Sequence, residues 1–302
     1  MKKKLGKIFP IIDSDQRKKM VEEKILNSTQ TNNGVVNIHR YNLNNVGDLF
    51  CGPHHYFKEL ENSHLDILGF RKISKNKRLQ WSEKISNNAL IIGGGGLLNI
   101  RHFERQMKLF EQLKAKGKKT ILWGLGHNDP KLKHVGNPKS YNINIKNFNL
   151  VGTRDYSMPG EYVPCVSCLH PIFDKDYTET RETGIIITNS SLKDTSILEK
   201  FKNYPSTSNT TTLSEMINFI GNSATVVTDS YHAMYWAILL GKKTVSIPVT
   251  SKFYDFKYKS VISSYENFEE DLYKAQSYSG VLEECREINL NFAEKVFDYL
   301  NS

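Results

Sequence analysis

The chain has 302 residues, of which 39% are hydrophobic and 24% charged, with a formal net charge of +9. That length supports one large or two medium domains, each with its own core, and no apolar run reaches the ~18 residues of a membrane span. The positive balance fits an anionic partner such as a phosphorylated small molecule, a nucleic acid or an acidic membrane face; the lysines and arginines are scattered, without the stripe that tracks a nucleic-acid groove.

The opening "MKKKLGKIFPIIDSDQRKKM" is basic but lacks an apolar region of signal-peptide length, so a cytoplasmic protein is expected. Residues 1–33 read as an N-terminal segment, a solvated tail or helix, with peripheral contact to a membrane surface as the alternative. From there the pattern alternates. "GVVNIHRYN" reads as a strand, and "NALIIGGGG" as a short buried strand running into glycines. In "RHFERQMKLFEQLKAKGKK", Phe103, Met107, Phe110 and Leu113 recur at helical spacing, and Gly117 ends the helix. "KTILWGLG" and "FNLVGTRD" are further strands, and "EYVPCVSC" is a candidate for one more. The polar stretch "DKDYTETRETG" reads as a linker. Beyond it, "GIIITN", "TLSEMINFIGNS", "ATVVTDS", "HAMYWAILLG" and "KTVSIP" alternate strand and helix again, and "LEECREINLNFAEKVFDYL" is an amphipathic helix. Such alternation predicts an α/β protein with two Rossmann-like domains, residues 34–175 and 184–280, facing a cleft, and a C-terminal helix at 281–302.

Four cysteines, Cys51, Cys165, Cys168 and Cys285, are too few and too dispersed for a disulfide framework, which points to a reducing compartment. Cys165 and Cys168 form a CxxC, but no second pair completes a zinc site, and a redox CxxC opens a helix where this one falls in a strand or loop.

Several polar or glycine clusters follow expected strands, where α/β sheets bind ligands. In "NNVGDLFCGPHHYF", Gly47 permits a sharp turn or a close ligand approach, and Asp48 is either a helix cap or a carboxylate at the mouth of the sheet. His54 and His55 in the same stretch lack a further ligand at metal spacing. In "IIGGGGLLN", the N–H groups of Gly93, Gly94 and Gly95 either line an anion site with a helix N-terminus behind them or make a tight crossover. The run is neither GxGxxG nor a P-loop. His127 follows another strand in "WGLGHN". Arg154 in "VGTRDYSMP" clamps a phosphate or carboxylate, or pairs with Asp155. In "TDSYHA", Asp229 or Ser230 caps a helix, and His232 is either a buried structural imidazole or a proton-transfer group. A helix N-terminus disfavours its cationic form.

Taken in order, "NVGDLFCGPHHYF", "IIGGGGLLN", "WGLGHN", "VGTRDYSMP", "VPCVSCLHP" and "VVTDSYHAMYWAILLGKKTVSIP" resemble the polysaccharide pyruvyl transferase family, from about Val35 to about Leu272. The resemblance implies a fold similar to GT-B glycosyltransferases, with the first domain on the acceptor side and the second on the donor side. It implies transfer of a pyruvyl group from phosphoenolpyruvate to two hydroxyls of a sugar, as a cyclic ketal, with no metal and no cofactor beyond that co-substrate. The acceptor would be a sugar or oligosaccharide, free or lipid-linked, in which case the inner membrane face is the place of work. Carried over by motif, Gly47 and Asp48 match the family's Gly-Asp, Gly93 to Gly96 its glycine run, and Arg154 with Asp155 its Arg-Asp. His232 matches its C-terminal histidine, and Asp255 with Lys257 its Asp-x-Lys. Many members have Arg-x-His where this chain has Ser230-Tyr231-His232; others have Ser-x-His. Arg154, Lys257 or the helix N-terminus after Ser230 would then hold the donor phosphate. The roles implied are His232 as proton donor or base, Arg154 as anion clamp and Asp48 as the group that orients or deprotonates the acceptor. A glycosyltransferase using a nucleotide sugar and a non-catalytic glycan-binding chain are the competing expectations.

Overall fold

The computed structural model describes residues 14–71 and 74–302. In chain order the first part contains α1 (Ser14–Asn27), β1 (Val35–His39), α2 (Val46–Phe50), β2 (His64–Asp66), α3 (Lys75–Asn87), β3 (Ala89–Ile92), β4 (Gly95–Leu98), α4 (Arg101–Glu111), β5 (Thr120–His127), β6 (Leu150–Thr153) and β7 (Glu161–Tyr162). The second contains β8 (Arg181–Ile187), α5 (Thr195–Lys200), β9 (Ser206–Ser208), α6 (Leu213–Gly221), β10 (Ser223–Thr228), α7 (Tyr231–Leu239), β11 (Lys243–Ser246), β12 (Val261–Ile262), α8 (Phe268–Asp271) and α9 (Val281–Asn301).

The strands form two sheets, and every pairing in them is parallel. The first runs β2-β1-β3-β5-β6-β7, with β4 also on β5; the second runs β12-β11-β10-β8-β9. Strands covered on both faces read as unbroken apolar runs, which is why "ALII" of β3 and the whole of β5 are buried. Each sheet changes winding direction between its first and third strands, β1/β3 and β8/β10, and the crevice outside the carboxyl ends at such a point is where open α/β sheets take ligands.

The α/β reading therefore holds, in two parallel sheets with helices around them. The helix predicted from Phe103, Met107 and Phe110 is α4; all three are buried, Leu113 is buried just beyond it, and Gly117 closes the following 3₁₀ turn at φ +80°. The Thr-initiated helix is α6, where Thr212 and Glu215 form a reciprocal capping box. Every residue of α7 is buried, so its sequence shows no polar face.

Some expectations are corrected. The glycine run does not lead into a helix. It interrupts one strand: Ile92 pairs with Leu122, Gly95 resumes the ladder opposite Leu125, and α4 begins only at Arg101. "DKDYTETRETG" is a linker only to Thr180, because β8 takes its polar start from Arg181. "EYVPCVSC" yields the two-residue β7 and a 3₁₀ turn, Val166–Leu169, around the CxxC. The N-terminal segment is part of the first core: Val21 and Ile25 of α1 bury beside Trp81 and Ile85 of α3, while residues 1–13 lie outside the described ones. Helix α9 docks on the first sheet, its Phe292, Ala293 and Val296 packing on Ile91, Ile121, Trp123 and Val163.

Candidate functional site

A cavity of about 240 Å³ opens where the carboxyl ends of strands from both sheets end. Strands of both sheets contribute to its wall through the residues that follow them. Arg40 comes after β1, Asn128 after β5, Arg154 after β6, Thr188 after β8, Asn209 after β9 and Lys252 after β11. Asn45 and Asp48 come from the start of α2, Gly95 and Gly96 from β4, His102 from α4, and Ser230, Tyr231 and His232 from the start of α7. Asp48, Gly95, Arg154, Ser230 and His232, far apart in the sequence, thus share one cavity.

Arg154 dominates its electrostatics. The side chain is 2% exposed, and neither Nε nor Nη1 has a hydrogen-bond partner. No salt bridge to Asp155 is made; Asp155 Oδ2 accepts from the His127 N–H at 2.8 Å and from the Tyr141 hydroxyl at 3.0 Å. The guanidinium instead lies over the Tyr231 ring, 3.9 Å from its centroid. Beside it, Ser230 occupies the N-cap position of α7 without capping it by its side chain, so the first amides of a nine-residue helix remain open at the cavity. Lys252 adds a second cation, its ammonium pulled down to about 8 by burial and the nearby Arg154. A buried guanidinium that no carboxylate meets at salt-bridge distance, an uncapped helix N-terminus and a lysine together describe an anion site.

His232 is packed between the two parts of the site. Its Nε2 lies 3.7 Å from Cys165 Sγ, and a Cβ added to Gly47 would stand 2.1 Å from its Nδ1. Gly47 is therefore required for the close approach of α2 to the imidazole. Burial, then the charges of Arg154 and Lys252, hold the ring well below its ordinary pKa, so it is neutral in the empty cavity. Asp48 does not cap α2; Asn45 does, accepting from the Gly47 N–H at 3.2 Å. Asp48 is the one carboxylate among the cavity-lining residues. Burial pushes it up, against the pull of Lys252, Arg40, Asn42 and Arg154.

Other candidates lie elsewhere. Gly93 and Gly94 spend their N–H groups inside the fold, on Ile38 O at 2.9 Å and Cys51 O at 3.0 Å. A Cβ at Gly93, whose φ is +152°, would stand 1.9 Å from Trp123 O, so packing accounts for this glycine. Lys257 turns away from the cavity to pair with Glu284 at 2.5 Å. Asp229 is a tie within the second part, accepting from the Thr188 N–H at 2.6 Å and the Tyr265 hydroxyl at 2.8 Å. His127 is fully buried outside the cavity, in a group with Asp155 and Asp255. His54 stacks on His64, with centroids 4.4 Å apart, and packs against His39 and His55. All four cysteines are buried free thiols, and burial pushes each one up, which leaves no reactive thiolate.

Sequence reasoning passed over Arg40 and Lys252, although each is the first cation after a strand, β1 and β11 respectively. Position relative to strand ends would have found both. His102, Thr188 and Asn209 carried no comparable signal. No known protein-family model matches the chain, and no curated protein matches it.

Proposed function

We propose that this chain is a pyruvyl transferase of the polysaccharide pyruvyl transferase type, with two Rossmann-like units facing the cavity in a GT-B-like manner. It takes phosphoenolpyruvate as donor and a sugar or oligosaccharide, free or lipid-linked, as acceptor, in the cytoplasm or at the inner membrane face. The observation that carries the reading is the buried, unpaired Arg154 beside the uncapped start of α7. Such a site demands a strong anion. Phosphoenolpyruvate offers a phosphate and a carboxylate on a three-carbon body. A cavity of about 240 Å³ suits that compact donor better than a nucleotide sugar, since pockets for larger ligands run to ~300–1,000 Å³. Lys252 takes the place of the arginine that Ser230 lacks.

In this reading Arg154, Lys252 and the α7 amides hold the donor's anionic groups. Burial, then the charges of Arg154 and Lys252, keep His232 neutral in the empty cavity; the donor's anionic groups offset those charges and favour the imidazolium against burial, so the imidazole gains a proton in the complex. That proton passes to C3 of the enol. C2 becomes electron-poor, the first sugar hydroxyl adds to it, and Asp48 takes the hydroxyl proton. Phosphate leaves with the electron pair of its C2–O bond, and the second hydroxyl closes the ketal. One hydroxyl proton replaces the one given by His232, and the other leaves on phosphate. A positioned acid is worth about 10²–10⁴ in rate, so His232→Gln should retain donor binding and lose turnover by that factor.

The test is calorimetric titration with phosphoenolpyruvate, UDP and CMP, followed by phosphate release in the presence of candidate glycans. One equivalent of phosphoenolpyruvate, no nucleotide, and glycan-dependent phosphate release are expected. Binding of UDP or CMP with none of phosphoenolpyruvate would transfer the site to a nucleotide-sugar glycosyltransferase.

A further inference from the structure

Behind the cavity wall, three side chains from separate segments converge without meeting. His127 ends β5, Asp155 follows β6, and Asp255 comes from the stretch after β11. His127 Nε2 lies 3.8 Å from Asp155 Oδ1 and 3.9 Å from Asp255 Oδ2, and the three donor atoms lie within 4.8 Å of one another. Exposures are 0% for His127, 3% for Asp155 and 2% for Asp255. His127 Nε2 and Asp255 Oδ2 have no hydrogen-bond partner, although both are fully buried. Two acceptor-rich carboxylates and an imidazole nitrogen held this close, out of water, are costly unless something positive sits between them.

The remaining atoms of the same side chains are all held. His127 Nδ1 bonds Ser251 Oγ at 2.7 Å. Asp155 Oδ2 accepts from Tyr141 and the His127 N–H, and Asp255 Oδ1 accepts from the Ser157 N–H at 3.0 Å. His127 and Asp255 are thus oriented through one atom and open at the other, and Asp155 is oriented through Oδ2, the pattern of outer-shell bonds that aim ligands at a metal.

We propose that His127 Nε2, Asp155 Oδ1 and Asp255 Oδ2 bind one divalent transition-metal ion. At metal–donor distances of about 2.1 Å, donors in a tetrahedral arrangement stand roughly 3.4 Å apart, so the two pairs that include His127 close by about half an ångström. One nitrogen and two oxygens favour zinc or manganese over magnesium, which prefers oxygen and water. The ion does not line the anion cavity. It ties the loops after β5 and β6 to the segment that places Lys252 in that cavity, and it occupies Asp155 and Asp255 so that neither carboxylate competes for Arg154.

The test strips the purified chain with EDTA and titrates it with zinc, manganese and magnesium chlorides, reading stoichiometry by calorimetry and the unfolding midpoint by circular dichroism. One equivalent of zinc or manganese per chain and a raised midpoint are expected, with magnesium inert. Asp255→Asn and His127→Gln should each weaken uptake by at least about 100-fold, while His55→Gln, in the separate histidine cluster, leaves it intact. The isosteric Asp255→Asn keeps its bond to Ser157, and its own midpoint without metal reports whether it folds. No uptake by the stripped wild-type chain overturns the proposal whatever the variants do, as does equal uptake of magnesium or a loss confined to His55→Gln. Stoichiometry is read without phosphoenolpyruvate, so this outcome is independent of the transferase reading.

Discussion

Replacing Arg154 by methionine should raise the stability of the empty protein while abolishing its response to anions. The guanidinium is 2% exposed and leaves Nε and Nη1 unpartnered. A buried charge without a direct salt bridge carries a penalty of several kcal/mol even after relaxation, of which the nearby Asp155 offsets a part. The Tyr231 ring, 3.9 Å away, returns about 2 kcal/mol of it. Methionine keeps an unbranched apolar stem in the same space and removes the charge, so the empty variant should gain about 1–3 kcal/mol. At about 2–4 °C per kcal/mol for chains approaching this size, its unfolding midpoint rises by roughly 2–12 °C. With phosphoenolpyruvate about 100-fold above its Kd, the wild-type chain gains about 2.7 kcal/mol and the variant nothing. Thermal unfolding with and without phosphoenolpyruvate, and with inorganic phosphate as the smaller probe, reads both effects. A variant that is less stable when empty, with the ligand shift intact, would refute the reasoning, because Arg154 would then be satisfied within the fold.

The two lysines of "SKFYDFK" should separate cleanly. Lys252→Ala should weaken donor binding about 10-fold or more, as expected for a lost charged contact, whereas Lys257→Ala, which breaks only the pair with Glu284, should leave it unchanged in the same titration. Gly47→Ala should destabilise by about 1–3 kcal/mol through overpacking, and by displacing His232 it should lower turnover about 10²-fold; near-normal kinetics would remove the close-approach argument. Acid should destabilise the protein early. Burial and neighbouring histidines hold His39 at about 3 and His54 at about 2, against 6.5 for a free ring. Below pH 6.5 the unfolded chain therefore binds protons that the folded chain refuses, and stability falls as pH falls. Each ring contributes a loss of about 2 kcal/mol by about pH 5. A melting curve against pH should show this slope, blunted in His54→Gln, and a flat profile contradicts it. Lys118→Met should cost about 3 kcal/mol in denaturant unfolding, since the 1%-exposed ammonium donates to the carbonyls of Thr31, Ser86 and Asn88.

What the sequence disclosed follows from which signals are local. Buried parallel strands are visible as "ALII", "TILWGLG" and "GIIIT" because both faces need apolar side chains. The edge strands β2, β7, β9 and β12 are two or three residues long, too short to show a pattern, and they exist through pairing with distant neighbours. Helix α3, "KNKRLQWSEKISN", buries only Trp81, Ser82, Ile85 and Ser86, too weak a stripe to stand out. At the site, Asp48, Arg154 and His232 were legible because each follows a strand in a polar turn. The functions of the glycines were not, since Gly93 and Gly47 answer to Trp123 and His232, which are adjacent only in three dimensions. Lys257 and Lys252 differ in nothing local; the fold decides which one faces the cavity.

Helix α9 has a bearing on how the molecule can be made. Its Phe292 and Val296 cover the face of Ile91, Ile121 and Trp123, and Asn289 accepts the Trp123 indole N–H at 3.1 Å across 166 residues of sequence. A ribosome therefore finishes the strands of the first sheet long before their cover exists. That sheet must wait, incomplete and sticky, while the second is synthesised. Splitting the chain in the linker near residue 175 should give two fragments that fail separately. The first lacks its cover and the second carries an amphipathic helix whose apolar stripe at Phe292 and Val296 has lost its partner, so co-expression, rather than truncation, is the way to study the halves.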